Sequence, residues 1–429
     1  MDYYGIGYLR DKLVKKQERV KLRYKYYECK DSAHDESQMV PVWLRHAYIP
    51  TLGWCTKAVD SLSDRLVFKG FEGDTDILNC MAIYGANNGS ILFDSAIREA
   101  LIASCSFIAI THGKEEKDLP RMSVVTARDA TGIMDEQSGF LKEGYAVLER
   151  GKGDKVILEA YYTAEQTEYR RFTNRGEEIT IEQNPAGIPL LVPVVYRPDS
   201  TRPFGHSRIS RACMYYQRYA ANTMRRSEVS AEFYSFPQRY ASGIDPDAEP
   251  LDSWKATLST MLTFTKDEDG DHPTLGNFTQ QSMTPYLDQL KTAASMFAGE
   301  TGLTLDDLGF PSDIPSSAEA IKSAHETLRL MVVSAQTSFG SAFIHAGYLA
   351  ACLRDKNVWL SSLMEAMVPL WKPAFDVDAS TLGAVGDSVL KLNQAVPNML
   401  DRDAIYKLTG IEPSEAVEVE EQTEEVLNE

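Results

Sequence analysis

No run of about 18 apolar residues interrupts the sequence, so no membrane-spanning helix is expected. The N-terminus, MDYYGIGYLRDKLVKK, lacks an apolar core segment, and no secretory signal is read there. The six cysteines (Cys29, Cys55, Cys80, Cys105, Cys213 and Cys352) are scattered without a CxxC pair. That points to reduced thiols in a cytosolic setting rather than to zinc or disulfides. Lys and Arg number 44 against 62 Asp and Glu, a net charge of −18. Such a balance argues against sequence-independent DNA binding driven by phosphate neutralisation. It leaves room for a DNA path walled by repulsive charge.

The usual signatures of catalysis are missing as well. There is no GxxxxGK(S/T) loop, no GxGxxG after a strand and no HExxH. Gly205-His206-Ser207 resembles a nucleophile elbow but lacks the second glycine, and Ser207 reads better as a helix N-cap. His325 and His345 lie 20 residues apart, too far along one helix to share a metal. Asp267, Glu268, Asp269 and Asp271 lack the closing Glu of a calcium loop and read as a solvated turn. Asp306 and Asp307 are neighbours in a loop, where adjacent carboxylates rarely converge on one substrate. No catalytic residue, cofactor or metal is expected.

What is present is 429 residues of globular composition, 43% hydrophobic and 25% charged, enough for two or three domains. The chain is organised around Gly299–Arg354, an apolar and acidic loop feeding a very long helix. Ser316 and Glu319 form a capping box just after Pro315. Ala318, Ile321, Ala324, Leu328, Met331, Ala335, Phe339, Ala342, Ala346, Leu349 and Leu353 then mark one helical face. Such a helix is about 55 Å long at 1.5 Å per residue, long for a compact monomer. Gly340 and Gly347 on it imply close neighbours or a bend.

Elsewhere, Met1–Glu28 carries Lys12, Lys15, Lys16, Arg19, Lys21, Arg23 and Lys25 among Tyr24, Tyr26 and Tyr27. It reads as an amphipathic helix with Leu9, Leu13, Val20 and Tyr24 inward, in preference to a nucleic-acid contact. Residues 106–196 alternate like an antiparallel meander with one solvated face. Ser207–Glu232 and Pro285–Ala298 read as helices, and 262–265 and 274–278 as a hairpin around the acidic turn. Glu412–Glu429 holds eight Glu and no base, a composition expected to stay unfolded.

Four stretches together resemble tailed-phage portal proteins of the siphophage head–tail connector branch. They are Val59–Phe71 (VDSLSDRLVFKGF), Arg197–Gly205 (RPDSTRPFG), Glu300–Gly309 (ETGLTLDDLG) and Ser316–Glu326 (SSAEAIKSAHE). The resemblance implies an α+β subunit with an α/β wing, a two-helix stem, a small α+β clip, a long wing helix and a reduced helical crown. It divides the chain into 1–202 (wing), 203–233 (stem helix), 234–283 (clip), 284–302 (second stem helix), 303–316 (tunnel loop), 317–378 (long helix and wing) and 379–429 (crown and acidic tail). It implies a homo-oligomeric ring, expected to be dodecameric, at one capsid vertex, through which double-stranded DNA is packaged and ejected without sequence specificity. The implied partners are the major capsid protein, a terminase motor and a head–tail adaptor, with no membrane.

The resemblance places Leu303, Leu305, Asp306, Asp307, Leu308, Phe310, Asp313 and Ile314 beside the DNA. The carboxylates would repel phosphate while the apolar side chains pack between neighbouring loops. Trp254, Asp267, Glu268, Asp269 and Asp271 would meet motor and adaptor. Arg208, Arg211, Arg218, Arg225 and Arg226 on the first stem helix either pair with acidic neighbours in the oligomer or touch DNA, and in so acidic a chain subunit contacts are the expectation. The alternatives are an adaptor or minor head protein bound to a portal, and a soluble enzyme with an unrecognised site.

Overall fold

The computed structural model describes residues 4–30, 49–73, 78–113, 118–135, 137–235, 239–242, 274–277, 282–311, 323–364, 366–374, 379–397, 399–400 and 404–405. The chain divides into two units: Met1–Arg23 with Val59–Arg208 and Lys322–Glu429, and Tyr24–Ala58 with Ile209–Ile321.

Among its described residues the first unit holds three antiparallel sheets. Strand β1 (Phe68–Glu72) pairs with β12 (Val368–Trp371), joining segments some three hundred residues apart. Strand β2 (Cys105–Thr111) is apolar on both faces and is the centre of a three-stranded sheet, between β3 (Arg121–Thr126) and β9 (Leu191–Val195). Pro193 sits in β9, a strand paired on one side only, where a missing N–H is tolerated. The third sheet runs β4 (Ala130–Met134), β5 (Leu141–Arg150), β6 (Val156–Tyr162), β7 (Gln166–Thr173) and β8 (Gly176–Gln183) in sequence order. The single meander expected from the alternation is therefore two sheets. Strand β4 (ATGIM) went unread because a central Gly and buried small residues erase the alternation. Nor is one face simply wet: nearly all of β8 is exposed on both faces.

Helix α1 (Gly5–Tyr27) lies on this sheet with Leu9 and Leu13 buried against Tyr145 and Val147. Tyr26 rather than Tyr24 is its buried tyrosine. Arg10 is ion-paired with Glu159, whose side chain is 3% exposed and also accepts the Tyr145 hydroxyl at 2.6 Å. Helix α2 spans Trp54–Ser63. Helices α3 (Cys80–Ala86) and α4 (Gly89–Ala103) are separated by Asn88 in the left-handed conformation, φ 49. Asn87-Asn88 makes the break, and Gly89 already belongs to α4.

Helices α5 (Arg211–Ser235) and α6 (Thr284–Thr301) belong to the second unit. There β10 (Arg239–Ser242) pairs with β11 (Thr274–Asn277). The partner of 274–277 is thus 239–242, whereas the expected 262–265 lies outside the described residues.

The long helix is α7 (Glu326–Asp355), about 45 Å at 1.5 Å per residue. Residues 323–324 are helical, but His325 turns out of the helix at φ −92, ψ 2, so the expected continuous helix is broken there. The capping box at Ser316 and Glu319 lies outside the described residues. The periodic face holds for Leu328, Ala335 and Phe339, joined by Val332. From Phe343 to Leu353 every residue is buried, so one apolar stripe no longer describes the helix. Phe343 lies in an aromatic cluster with Phe68, Phe93 and Trp371, ring centroids 4.3–5.9 Å apart. A Cβ on Gly347 would stand 2.7 Å from the Phe71 ring, and one on Gly340 2.6 Å from Pro369. Close neighbours, not a bend, explain both glycines. Short helices α8 (Ser361–Met364) and α9 (Ala379–Ala395) follow.

Candidate functional site

The second unit presents the loop that the sequence singled out. Helices α5 and α6 pack together: Ser210 Oγ donates to Glu300 Oε1 at 2.8 Å, and Ser230 Oγ lies 2.8 Å from the Tyr286 hydroxyl. Trp54 packs on Phe297, centroids 5.5 Å apart. Helix α6 stops at Gly302, φ 67, a left-handed residue of the kind that commonly ends helices. The turn beyond is internally fixed. Thr304 N and Oγ1 both donate to Asp307 Oδ2 at 2.9 Å, and Asp307 N donates back to Thr304 Oγ1 at 3.2 Å. Asp306–Leu308 is a single 3-10 turn closed by Gly309, φ 89. Leu303 and Leu308 are 6% and 8% exposed.

These contacts divide the loop residues by job. Leu303 and Leu308, expected to pack against neighbouring loops, are already buried in the single chain. Their role there is to anchor the turn. Leu305 and Phe310 are half-buried, Asp306 is exposed, and Asp307 is committed to its capping bonds. Asp313 and Ile314 lie outside the described residues, as do Trp254, Asp267, Glu268, Asp269 and Asp271.

The arginines also separate. Arg211, Arg218 and Arg226 are exposed on α5. Arg208 and Arg225 are 6% and 2% exposed, so neither offers its charge to the chain's surface. Arg208 precedes α5 and its guanidinium donates to Met331 Sδ at 3.0 Å. Sequence reasoning counted charges and could not see which arginines turn inward. Tyr215 and Tyr219 stack on the exposed side of α5, centroids 6.3 Å apart. Ser207 is not the N-cap of that helix: its hydroxyl donates to Ile102 O at 2.6 Å, a carbonyl left open at the end of α4. The cap is Ser210, which accepts Cys213 N at 3.1 Å.

Among the described residues no three His, Cys, Asp or Glu come together in a way that could hold a metal. The six cysteines are unbridged. His345 is buried against Phe140, ring centroids 4.1 Å apart, and burial pulls it down to about 3. Among the described residues no helix is long and apolar enough to cross a membrane.

A mixed fold of paired helices and antiparallel sheets, presenting a rigid acidic turn, fits the resemblance read in the sequence, and comparison with known proteins gives its class. A family model described as phage portal protein, SPP1 Gp6-like, matches residues 7–351, so this is a portal-class protein. Within that class, the chain belongs to the SPP1 Gp6-like phage portal family. The portal protein of Mycobacterium phage D29 is 26% identical over 418 residues, covering 93% of this chain and 84% of the relative. That of Mycobacterium phage L5 is 26% identical over 359 residues, covering 80% and 72%. A chain in the neck of a native gene transfer agent particle, a structure computed with C12 symmetry, aligns at 14% identity and TM-score 0.45, covering 84% of this chain and 91% of that one. Family membership makes this a structural component of a phage particle.

Proposed function

We propose that copies of this chain close head-to-tail into a ring of twelve at one capsid vertex. The ring conducts double-stranded DNA during packaging and ejection, with 303–316 toward the bore. The observation that carries the reading is the turn at Asp306. It is internally fixed by the Thr304–Asp307 bonds, anchored by Leu303 and Leu308, and it exposes a carboxylate. A duplex moving past such a surface meets like charge, so nothing holds its phosphates. Family membership supports the placement. The terminase motor and the head–tail adaptor dock on the ring, and the capsid protein surrounds it. Arg211, Arg218 and Arg226 serve as contacts between copies in this reading, because they are the arginines of this set that α5 leaves exposed.

Mass photometry and negative-stain averaging of the purified full chain test the ring. The expected result is a closed annulus with a central hole. A monomer at every concentration overturns the reading.

A further inference from the structure

The first unit carries a second charged feature, on α1. Lys12, Lys16, Arg19 and Arg23 recur at spacings of four, three and four, which is one helical face. Phe204, from the loop after β9, lies among them: Lys16 Nζ is 4.8 Å and Lys12 Nζ 5.3 Å from its ring centroid. Lys12 Nζ also donates to Gly132 O, and a guanidinium N–H of Arg23 to Ala103 O, both at 2.7 Å. Arg202, on the same loop as Phe204, is close enough to repel Arg23. None of the four α1 cations is ion-paired with a carboxylate among the described residues, while Arg202 N donates to Asp199 Oδ1 at 2.6 Å and its guanidinium lies 3.4 Å from His206 Nδ1. Burial and neighbouring cations pull Lys12 down to about 8, and burial leads in lowering Lys16 and Arg23. Like charges gathered and partly desolvated in this way are relieved by an anion.

At the β8 edge of the five-stranded sheet the sign reverses. Helix α1 lies over β4–β6, where Lys12 holds Gly132, and Gln17 Nε2 donates to Arg128 O at 3.3 Å. Strand β8 is the edge opposite β4, four strand spacings or about 19 Å from it. It carries Glu177, Glu178 and Glu182 and no base. Glu178 and Glu182 share one face; Glu177, paired with Arg170 at 3.2 Å, shares the other with Ile179 and Ile181, each 52% exposed. Its outer side has no strand partner among the described residues, an open edge of the kind that pairs with another chain.

We propose that the β8 edge of one copy docks on the α1–Phe204 cation cluster of the next. The acidic strand supplies the missing counter-charge, and Ile179 and Ile181 are covered in the same contact. The proposal rests on the ring reading and names two of the surfaces that close the ring. Contact between two different surfaces, repeated in one sense, is the kind that generates rings. A second copy suits the cluster better than DNA. Lys12, Lys16 and Arg23 are only partly exposed and pinned to carbonyls or to a ring, whereas phosphate-tracking cations reach into solvent. A chain of charge −18 also disfavours DNA, while every copy brings one acidic strand for each basic cluster.

The test uses exposed positions, so that folding survives: R19E/R202E on the cluster and E177K/E178K on β8, each in the full chain and checked by thermal melting. Ring formation is followed by mass photometry across a NaCl series. Each variant alone is expected to associate at least about tenfold more weakly than wild type, since attraction becomes repulsion. An equimolar mixture of the two restores rings, because alternating copies then meet opposite charge at every contact. Wild-type-like rings from both single variants overturn the docking and leave the ring reading standing. So does a mixture that fails to rescue. Weaker binding of R19E/R202E to a short DNA duplex, with rings intact, assigns the cluster to nucleic acid instead. A wild-type chain that never forms rings removes both readings.

Discussion

Reversing the charge at Asp306 is the sharpest probe of the loop. The side chain is exposed and takes no part in the Thr304–Asp307 capping bonds, so Asp306→Lys leaves those bonds in place. In a ring of twelve the bore gains about twelve ammonium groups where it had carboxylates. If only six to ten of them reach phosphate, DNA retention changes by about 10³–10⁵ between 50 and 200 mM salt. Packaging and ejection by D306K particles should therefore slow sharply at low salt and recover as NaCl rises. Asp306→Asn, which removes charge without adding an opposite one, should stay near wild type. Asp307→Ala differs in kind, because it loses a cap at a cost of about 1 kcal/mol and loosens the turn. Packaged DNA length and single-particle ejection rates are the readouts. D306K particles that package and eject like wild type at low salt would show that the turn does not face the duplex.

Three further outcomes follow from the first unit. Phe343→Ala empties the centre of the aromatic cluster and should destabilise by about 3–5 kcal/mol in urea unfolding; a loss below about 1 kcal/mol contradicts the packing. Arg10→Ala leaves Glu159 buried with Tyr145 as its remaining described partner and should cost about 2–4 kcal/mol, while R10A/E159Q recovers part of it; equal stability of the two variants refutes the ion-pair account. His345 has a folded value depressed to about 3. Below the unfolded value near 6.5 the unfolded chain gains a proton that the folded chain refuses, so stability falls by about 1.4 kcal/mol per pH unit until about pH 3. His345→Leu should flatten that slope in pH-dependent denaturant midpoints between pH 6.5 and 4, and an unchanged slope refutes the burial argument.

Much of the chain was legible in its residues because local rules govern those parts. Helices α1, α4, α5 and α6 announce themselves by period. Strands β2 and β9 do so by short apolar runs, and the family resemblance by four short stretches in order. The errors share one cause: each depended on what a segment meets from elsewhere in the chain. The meander divided because β2 pairs with β9 across the whole of β4–β8. The helix cap moved from Ser207 to Ser210 because a carbonyl at the end of α4 took the Ser207 hydroxyl.

Sequence alone settled the family, the mixed helix-and-sheet character, and an acidic turn lying between two helices. These are written in composition, period and the order of short motifs. Tertiary structure decided which of those residues are available. It turned Arg208 and Arg225 inward and left Arg211, Arg218 and Arg226 outside. It used Leu303 and Leu308 as anchors and Asp307 as a cap, and left Asp306 exposed. It also set a basic helix over β4–β6 of one sheet and an acidic strand at that sheet's β8 edge. The physical reason is that charge and hydrophobicity belong to a residue, whereas exposure belongs to everything packed around it.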